Sequence, residues 1–171
     1  LNNHIGIPIT ILEMEKNTEI AVIEMGANHQ KEIESYCKYV EPTHGIITNC
    51  GKAHLEGFGG TQGIRKGKGE LYDYLKQHQG TVFVNGDDAI LLDMIKERSI
   101  TTSVNYGKNN SCNYSSKILV ENPVLKILRN RIWIAASVTD RRQCAVLGEQ
   151  PYSGHALVFA VAAGMVSHDA P

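Results

Sequence analysis

Three side chains, Glu24, His54 and Lys68, combine reactive chemistry with positions that an enzyme could use. Glu24 lies in the apolar run over residues 19–25, which Gly26 closes and which is typical of a buried parallel strand. A buried carboxylate is costly unless it meets a cation or a hydrogen-bond partner. Mg²⁺ would suit it, because this cation prefers oxygen ligands. Alternatively, Glu24 caps the helix predicted from Gln30 or pairs with a lysine.

His54 lies in a glycine-dense segment, residues 51–60, that follows the next apolar run. In a doubly wound sheet this loop would share the sheet edge at which Glu24 ends its strand. A lone loop histidine is usually structural, but the surrounding glycines would allow the backbone to approach a ligand closely. We interpret Glu56 as a carboxylate that braces the loop.

Lys68 falls on the apolar stripe of a predicted helix, together with Ile64, Leu71 and Leu75. This spacing directs its side chain inward. An inward lysine normally extends its amine back to solvent. The alternative is an amine held in a pocket, where a lowered pKa would let it react.

Alternating strand and helix patterns position these side chains. Strands are predicted at residues 19–25, 45–48 and 82–84, and helices at residues 30–40, 61–75 and from the capping residue Asp88 through Ile95. This alternation predicts an α/β fold with a doubly wound, mostly parallel sheet flanked by helices.

The second half of the chain has a different pattern. Short strands are predicted at residues 101–106, 115–120, 124–128 and 132–136, with a turn at 129–131, so we expect a small antiparallel subsheet. An alanine-rich helix is predicted at residues 156–166. We therefore expect a single domain over residues 1–171, with a parallel part at 1–99, an antiparallel part at 100–148 and a terminal helix at 149–171.

Composition excludes several classes of protein. The 17 basic and 18 acidic residues form no basic stripe, which argues against a nucleic-acid partner. The four cysteines are widely spaced, which indicates reduced thiols and a cytoplasmic location rather than zinc or disulfides. No apolar run is long enough to cross a membrane. The chain starts with Leu1 rather than methionine, so we expect it to be a piece of a longer protein.

A series of short motifs carries a family resemblance. They are NNHIGIPIT at 2–10, EMGANH at 24–29, TN at 48–49, AHLEGFG at 53–59, KGKGE at 66–70 and NGDD at 85–88. In this order they resemble the central, ATP-binding domain of the Mur ligases, most strongly over residues 2–95. The resemblance is closest to the branch that joins D-alanyl-D-alanine to UDP-N-acetylmuramoyl-tripeptide.

The resemblance implies roles for the three side chains. Glu24 is similar to the family's magnesium-binding carboxylate, and His54 to the histidine that helps to hold a second magnesium. Lys68 matches a lysine that the family carries as a carbamate, which would make it an anionic metal ligand. His54 and Lys68 are then the catalytic candidates.

The resemblance also implies a reaction, with ATP and Mg²⁺ as cofactors. A substrate carboxylate would attack the γ-phosphate to give an acyl phosphate, and the amine of D-alanyl-D-alanine would displace phosphate. Asn85 and Asp87 match a loop near the nucleotide, while Asn2 and Asn3 are candidates for substrate contact. The amino- and carboxy-terminal domains of the same protein would be its partners.

Two departures from the family pattern leave alternatives open. The chain has no G-x-x-x-x-G-K-[ST] phosphate loop, which in the family lies just upstream of Asn2. Residues 148–157 lack the asparagines that open the family's last helix. The chain is therefore either part of an active ligase or a remnant that serves as a binding module; a metal-dependent hydrolase using Glu24 and His54 is a third option.

Overall fold

The computed structural model describes residues 2–51, 55–120, 124–129, 132–137 and 158–163. These residues form helices and strands in the following order: α1 (Gly6–Leu12), β1 (Ile20–Met25), α2 (Glu32–Val40), β2 (His44–Ile47), α3 (Leu55–Phe58), α4 (Thr61–Gln77), β3 (Thr81–Asn85), α5 (Ala89–Glu97), β4 (Ser103–Gly107), β5 (Tyr114–Val120), β6 (Val124–Arg129), β7 (Ile132–Ser137) and β8 (Val158–Ala163).

The described strands form one sheet in the order β1-β8-β2-β3-β4-β5-β6-β7. Strands β2, β3, β4 and β5 are parallel to one another, and the pairs β5–β6 and β6–β7 are antiparallel. The mostly parallel sheet with a small antiparallel subsheet is thus confirmed, but two strand assignments are corrected. β1, predicted as a buried parallel strand, pairs with the antiparallel β8 and is partly exposed, and β4, predicted in the antiparallel part, is parallel to β3 and β5. In the predicted hairpin Arg129 pairs with Ile132, and the two residues between them lie outside the described part.

Strand β8 replaces the helix predicted at residues 156–166, so that prediction is wrong over Val158–Ala163. The strand lies between β1 and β2 and is antiparallel to both. Its alanines favour a helix in isolation, but a slot between two strands offers backbone hydrogen bonds on both sides, and this context overrides the propensity. The rest of the predicted terminal segment lies outside the described residues.

The core forms where the helices pack onto alternate residues of the strands. In β1, Ile23 and Met25 are buried whereas Ile20 and Val22 are exposed. Buried residues of α2, α4 and α5 complete this cluster: Ile33, Tyr36, Cys37, Val40, Leu71, Tyr72, Leu75, Leu91 and Met94. The period of two in the strands and the helical period in α2 and α4 are therefore both directed at one core.

Helix ends follow local chemistry. The Asp88 side chain accepts hydrogen bonds from the amides of Ile90 and Leu91, which confirms it as the cap of α5.

Helix α1 was not predicted, because its outer residues Ile9 and Leu12 are exposed and break the amphipathic pattern. Within the described part of the chain, no helix combines the length and apolarity needed to span a membrane.

Candidate active site

Glu24 lies at the carboxyl end of β1 and receives a hydrogen bond from Asn2. The Asn2 Nδ2 atom lies 2.6 Å from Glu24 Oε1. The Gly26 amide donates to the Asn2 carbonyl at 2.6 Å, and a Cβ on Gly26 would come within 2.8 Å of the Asn2 side chain. Glu24 thus neither caps α2 nor pairs with a lysine among the described residues. Asn3, the other substrate candidate, uses its side-chain oxygen to cap α1 at the amide of Gly6.

The start of α2 is capped instead by Glu70, which lies on α4. Its two carboxylate oxygens accept hydrogen bonds from the amides of Lys31 at 2.6 Å and Glu34 at 3.0 Å. The Glu70 side chain is only 7% exposed. Burial raises the pKa of its carboxyl, and the two backbone amides act in the opposite direction. The spacing of apolar residues did not indicate a role for Glu70, although its place between Gly69 and the inward Leu71 was a signal.

Glu32 fastens the loop that follows β1. One of its oxygens accepts hydrogen bonds from the amides of Asn28 at 2.6 Å and His29 at 3.0 Å. Burial raises the pKa of Glu32, but the hydrogen bonds from His29 and Asn28 outweigh it, so the pKa is lowered from 4.5. The residues immediately after Glu24 and Met25 are thereby tied to α2.

Lys68 is buried at 7% exposure, as the helical spacing predicted, so the solvent-reaching alternative is wrong. Its Nζ atom donates to the carbonyl of Asn49, 3.1 Å away, just past the end of β2. Burial lowers the pKa of the Lys68 amine below its ordinary value of 10.5, partly opposed by the neighbouring Cys50. The amine therefore lies at the carboxyl edge of the sheet with a weakened preference for the charged form.

The segment that follows His54 packs between the loop after β1 and helix α4. His54 itself lies outside the described residues, as does the side chain of Glu56. A Cβ on Gly57 would lie 2.4 Å from the Asn28 carbonyl, and Gln30 Nε2 donates to the Phe58 carbonyl at 3.4 Å. The described residues after His54 therefore lie beside the loop that follows Glu24 and beside the helix that carries Lys68.

Asn85 ends β3, Asp87 lies in the loop that follows, and the two residues hold two loops together. The Asn85 side chain accepts from the Asp87 amide at 3.0 Å, and Asp87 Oδ2 accepts from the Lys108 amide at 2.7 Å. A Cβ on Gly107 would lie 3.0 Å from the Asp87 carboxyl, so a larger residue there would require this side chain to shift. Both side chains are thus engaged in joining the β3–α5 loop to the segment after β4.

The donor chemistry fits a magnesium ion only in part. Glu24 supplies a carboxylate oxygen of the kind that Mg²⁺ prefers. Lys68 as an ammonium has no lone pair to offer, and it would fit only after conversion to an anion. No cluster of three or more His, Cys, Asp or Glu side chains suited to a metal occurs among the described residues, from which His54 is excluded.

Comparisons with known proteins agree on one family. Residues 1–129 match the family model described as the Mur ligase middle domain. A UDP-N-acetylmuramoyl-tripeptide--D-alanyl-D-alanine ligase from Haemophilus influenzae is 44% identical over 86 residues, which are 50% of this chain and 19% of that protein. The enzyme of the same name from Bacillus subtilis is 41% identical over 90 residues, 53% of this chain and 20% of the relative.

Solved structures give the same relationship. A crystal structure of MurF from Acinetobacter baumannii has a TM-score of 0.65 and 28% identity, and the match covers 80% of this chain and 30% of that one. A second crystal structure of the same protein has a TM-score of 0.66 and 27% identity, covering 82% and 31%. The chain therefore spans about a fifth of the length of its curated relatives and under a third of the solved structures.

Proposed function

We propose that this chain, which belongs to the Mur ligase middle-domain family, is the ATP-binding part of a ligase that joins D-alanyl-D-alanine to UDP-N-acetylmuramoyl-tripeptide. The product would be a precursor of peptidoglycan, made in the cytoplasm. The observation that carries the proposal is the convergence of three segments at the carboxyl edge of the sheet. They contain Glu24, the residues after His54, and the buried amine of Lys68.

The proposed reaction has two steps. A substrate carboxylate attacks the γ-phosphate of ATP, which gives an acyl phosphate and ADP. The amine of D-alanyl-D-alanine then attacks the acyl carbon, and inorganic phosphate leaves as the amide bond forms. Mg²⁺, when bound, would neutralise charge on the phosphoryl group during its transfer.

Glu24 and Lys68 would supply the negative charge that holds a cation at this edge of the sheet. Asn2 holds the Glu24 carboxylate by one oxygen, and the other oxygen would bind the cation. Burial favours the neutral amine of Lys68, and a neutral amine can form a nitrogen–carbon bond to carbon dioxide with release of a proton. The resulting carbamate is an anion, so Lys68 would become a second oxygen ligand beside Glu24, and the predicted ligand His54 would add a nitrogen.

Asn85 and Asp87 would support the nucleotide site indirectly. Their side chains bind backbone amides of their own loop and of the segment after β4. We therefore propose that they shape the loops beside the nucleotide. Asn2 would likewise reach the substrate only through the Glu24 carboxylate that it holds.

The test is to replace Lys68 with alanine in the full-length protein. We expect phosphate release that depends on both substrates to disappear, and short carboxylic acids such as acetate to restore part of it. Lys66→Ala is the matched control, because Lys66 is exposed on the same helix. Full activity in Lys68→Ala would contradict the carbamate, and an inactive wild-type protein would favour the binding-module alternative.

A further inference from the structure

Glu70 is the one buried carboxylate in the described part of the chain, and the reaction above does not use it. It lies two residues after Lys68 on α4, so the two side chains leave the helix on different sides. Lys68 reaches the carbonyl of Asn49 at the end of β2, whereas Glu70 reaches the first amides of α2. Helix α4 is thus fastened on two sides by residues that are separated by about 3 Å along its axis.

A chain of hydrogen bonds connects Glu70 to the loop after Glu24. Glu70 holds the start of α2 through the amides of Lys31 and Glu34. Glu32, on the first turn of α2, holds the amides of Asn28 and His29 in that loop. A movement of α4 that withdraws Glu70 would therefore release α2 and the loop together.

Backbone conformation supports this assignment. Lys31 has a φ of 75°, in the left-handed region that non-glycine residues rarely adopt. Such a conformation persists only when surrounding contacts hold it. The hydrogen bond from the Lys31 amide to Glu70 is a contact of this kind.

We propose that Glu70 is a positioning residue, which sets the placement of Lys68 relative to the Glu24 loop by fastening α4 to the start of α2. The inference rests on the proposed function for its catalytic consequence. The structural part of the inference does not depend on that function. It states that Glu70, on the same helix turn as Lys68, holds the start of α2 through two hydrogen bonds.

The experiment compares Glu70→Gln and Glu70→Ala with wild type in the full-length protein. Glu34→Gln is the control, because it removes one carboxylate at the same helix start but leaves the cap in place. The readouts are hydrogen exchange of the Lys31 and Glu34 amides, the rate at which acetic anhydride labels Lys68, and ligation kinetics. If Glu70→Ala does not fold, Glu70→Gln still tests the proposal. Its side-chain oxygen keeps an acceptor for one of the two amides, so this variant loses only part of the cap.

We expect Glu70→Gln to speed exchange of these amides about tenfold, as expected for one lost hydrogen bond to a charged group. Labelling of Lys68 should rise severalfold and kcat should fall, while Glu34→Gln resembles wild type. Faster exchange with unchanged Lys68 labelling and kcat would overturn the proposal and leave Glu70 a helix cap. Unchanged exchange would overturn the hydrogen bonds themselves.

The two proposals fail in distinguishable ways. If the wild-type protein does not form the amide product, the proposed function fails. The exchange and labelling measurements would still decide whether Glu70 couples α2 to Lys68, because neither requires turnover.

Discussion

Replacing Gly63 with alanine should loosen the contact between α3 and α4. A Cβ at this position would lie 1.7 Å from the Phe58 carbonyl oxygen, half of the 3.4 Å at which ordinary contact begins. The obstacle is a backbone atom, so no side-chain rotation can relieve the overlap. Helix α3, which directly follows His54 in sequence, would have to move away from α4.

The sign of the change in the free energy of unfolding distinguishes the packing cost of the added Cβ from the higher helix propensity of alanine. In a free helix, glycine to alanine stabilises by about 1 kcal/mol. Overpacking of a filled site costs about 1–3 kcal/mol, and a backbone overlap lies at the upper end of that range. We therefore expect a net loss of about 2 kcal/mol in the free energy of unfolding, which lowers the urea midpoint of this domain's transition.

Gly67 offers a graded comparison on the same helix. A Cβ there would lie 2.4 Å from the ring of Phe58, which can rotate, so Gly67→Ala should cost less than Gly63→Ala. Adding Phe58→Ala should recover part of the Gly67→Ala loss relative to Phe58→Ala alone, but none of the Gly63→Ala loss. The assay is urea unfolding of the full-length protein. A Gly63→Ala variant as stable as wild type, or more stable, would refute the packing of α3 on α4.

Three further outcomes are expected from the hydrogen bonds of the site and its helices. Glu24→Gln should raise the Mg²⁺ concentration needed for half-maximal ligation, and an unchanged titration would show that this carboxylate does not hold the metal. Asp88→Ala should lower the free energy of unfolding by about 1 kcal/mol while Asp88→Asn stays near wild type, and equal losses in both variants would contradict the cap. Because the pKa of Glu32 is lowered from 4.5, its contribution is present above that pH and is lost as the pH falls through the lowered value. The stability difference between wild type and Glu32→Gln should therefore shrink in acid, whereas a difference independent of pH would contradict the amide contacts.

The spacing of apolar residues along the sequence predicted which side chains of a helix or strand face the core. The inward direction of Lys68 followed from its spacing to Ile64 and Leu71, and all three side chains are buried. The apolar run before Gly26 became β1 for the same reason. These features depend only on neighbours within two turns of a helix or along one strand.

The features that were missed depend on partners far away in sequence. Asn2 holds Glu24 across 22 residues, and Glu70 caps α2 across 39 and 36 residues. No local pattern distinguishes a carboxylate that binds such a partner from one that binds a metal. The backbone of β8 also depends on partners far away in sequence. Its alanines are extended because they pair with β1 on one side and β2 on the other.

Glycines near the predicted His54 loop do not all have the meaning that their density indicated. We expected Gly51, Gly57, Gly59 and Gly60 to let the backbone approach a ligand, and a Cβ on Gly59 or Gly60 would meet nothing within 4 Å. Gly57, and Gly63 and Gly67 on the following helix, instead admit the Asn28 carbonyl, the Phe58 carbonyl and the Phe58 ring. Each is a contact between protein segments, in which a single Cβ would force two of them apart. The motifs that carry the family resemblance therefore specify how the site segments pack as much as what they bind. A substitution at such a glycine should impair ligation without touching any reactive side chain.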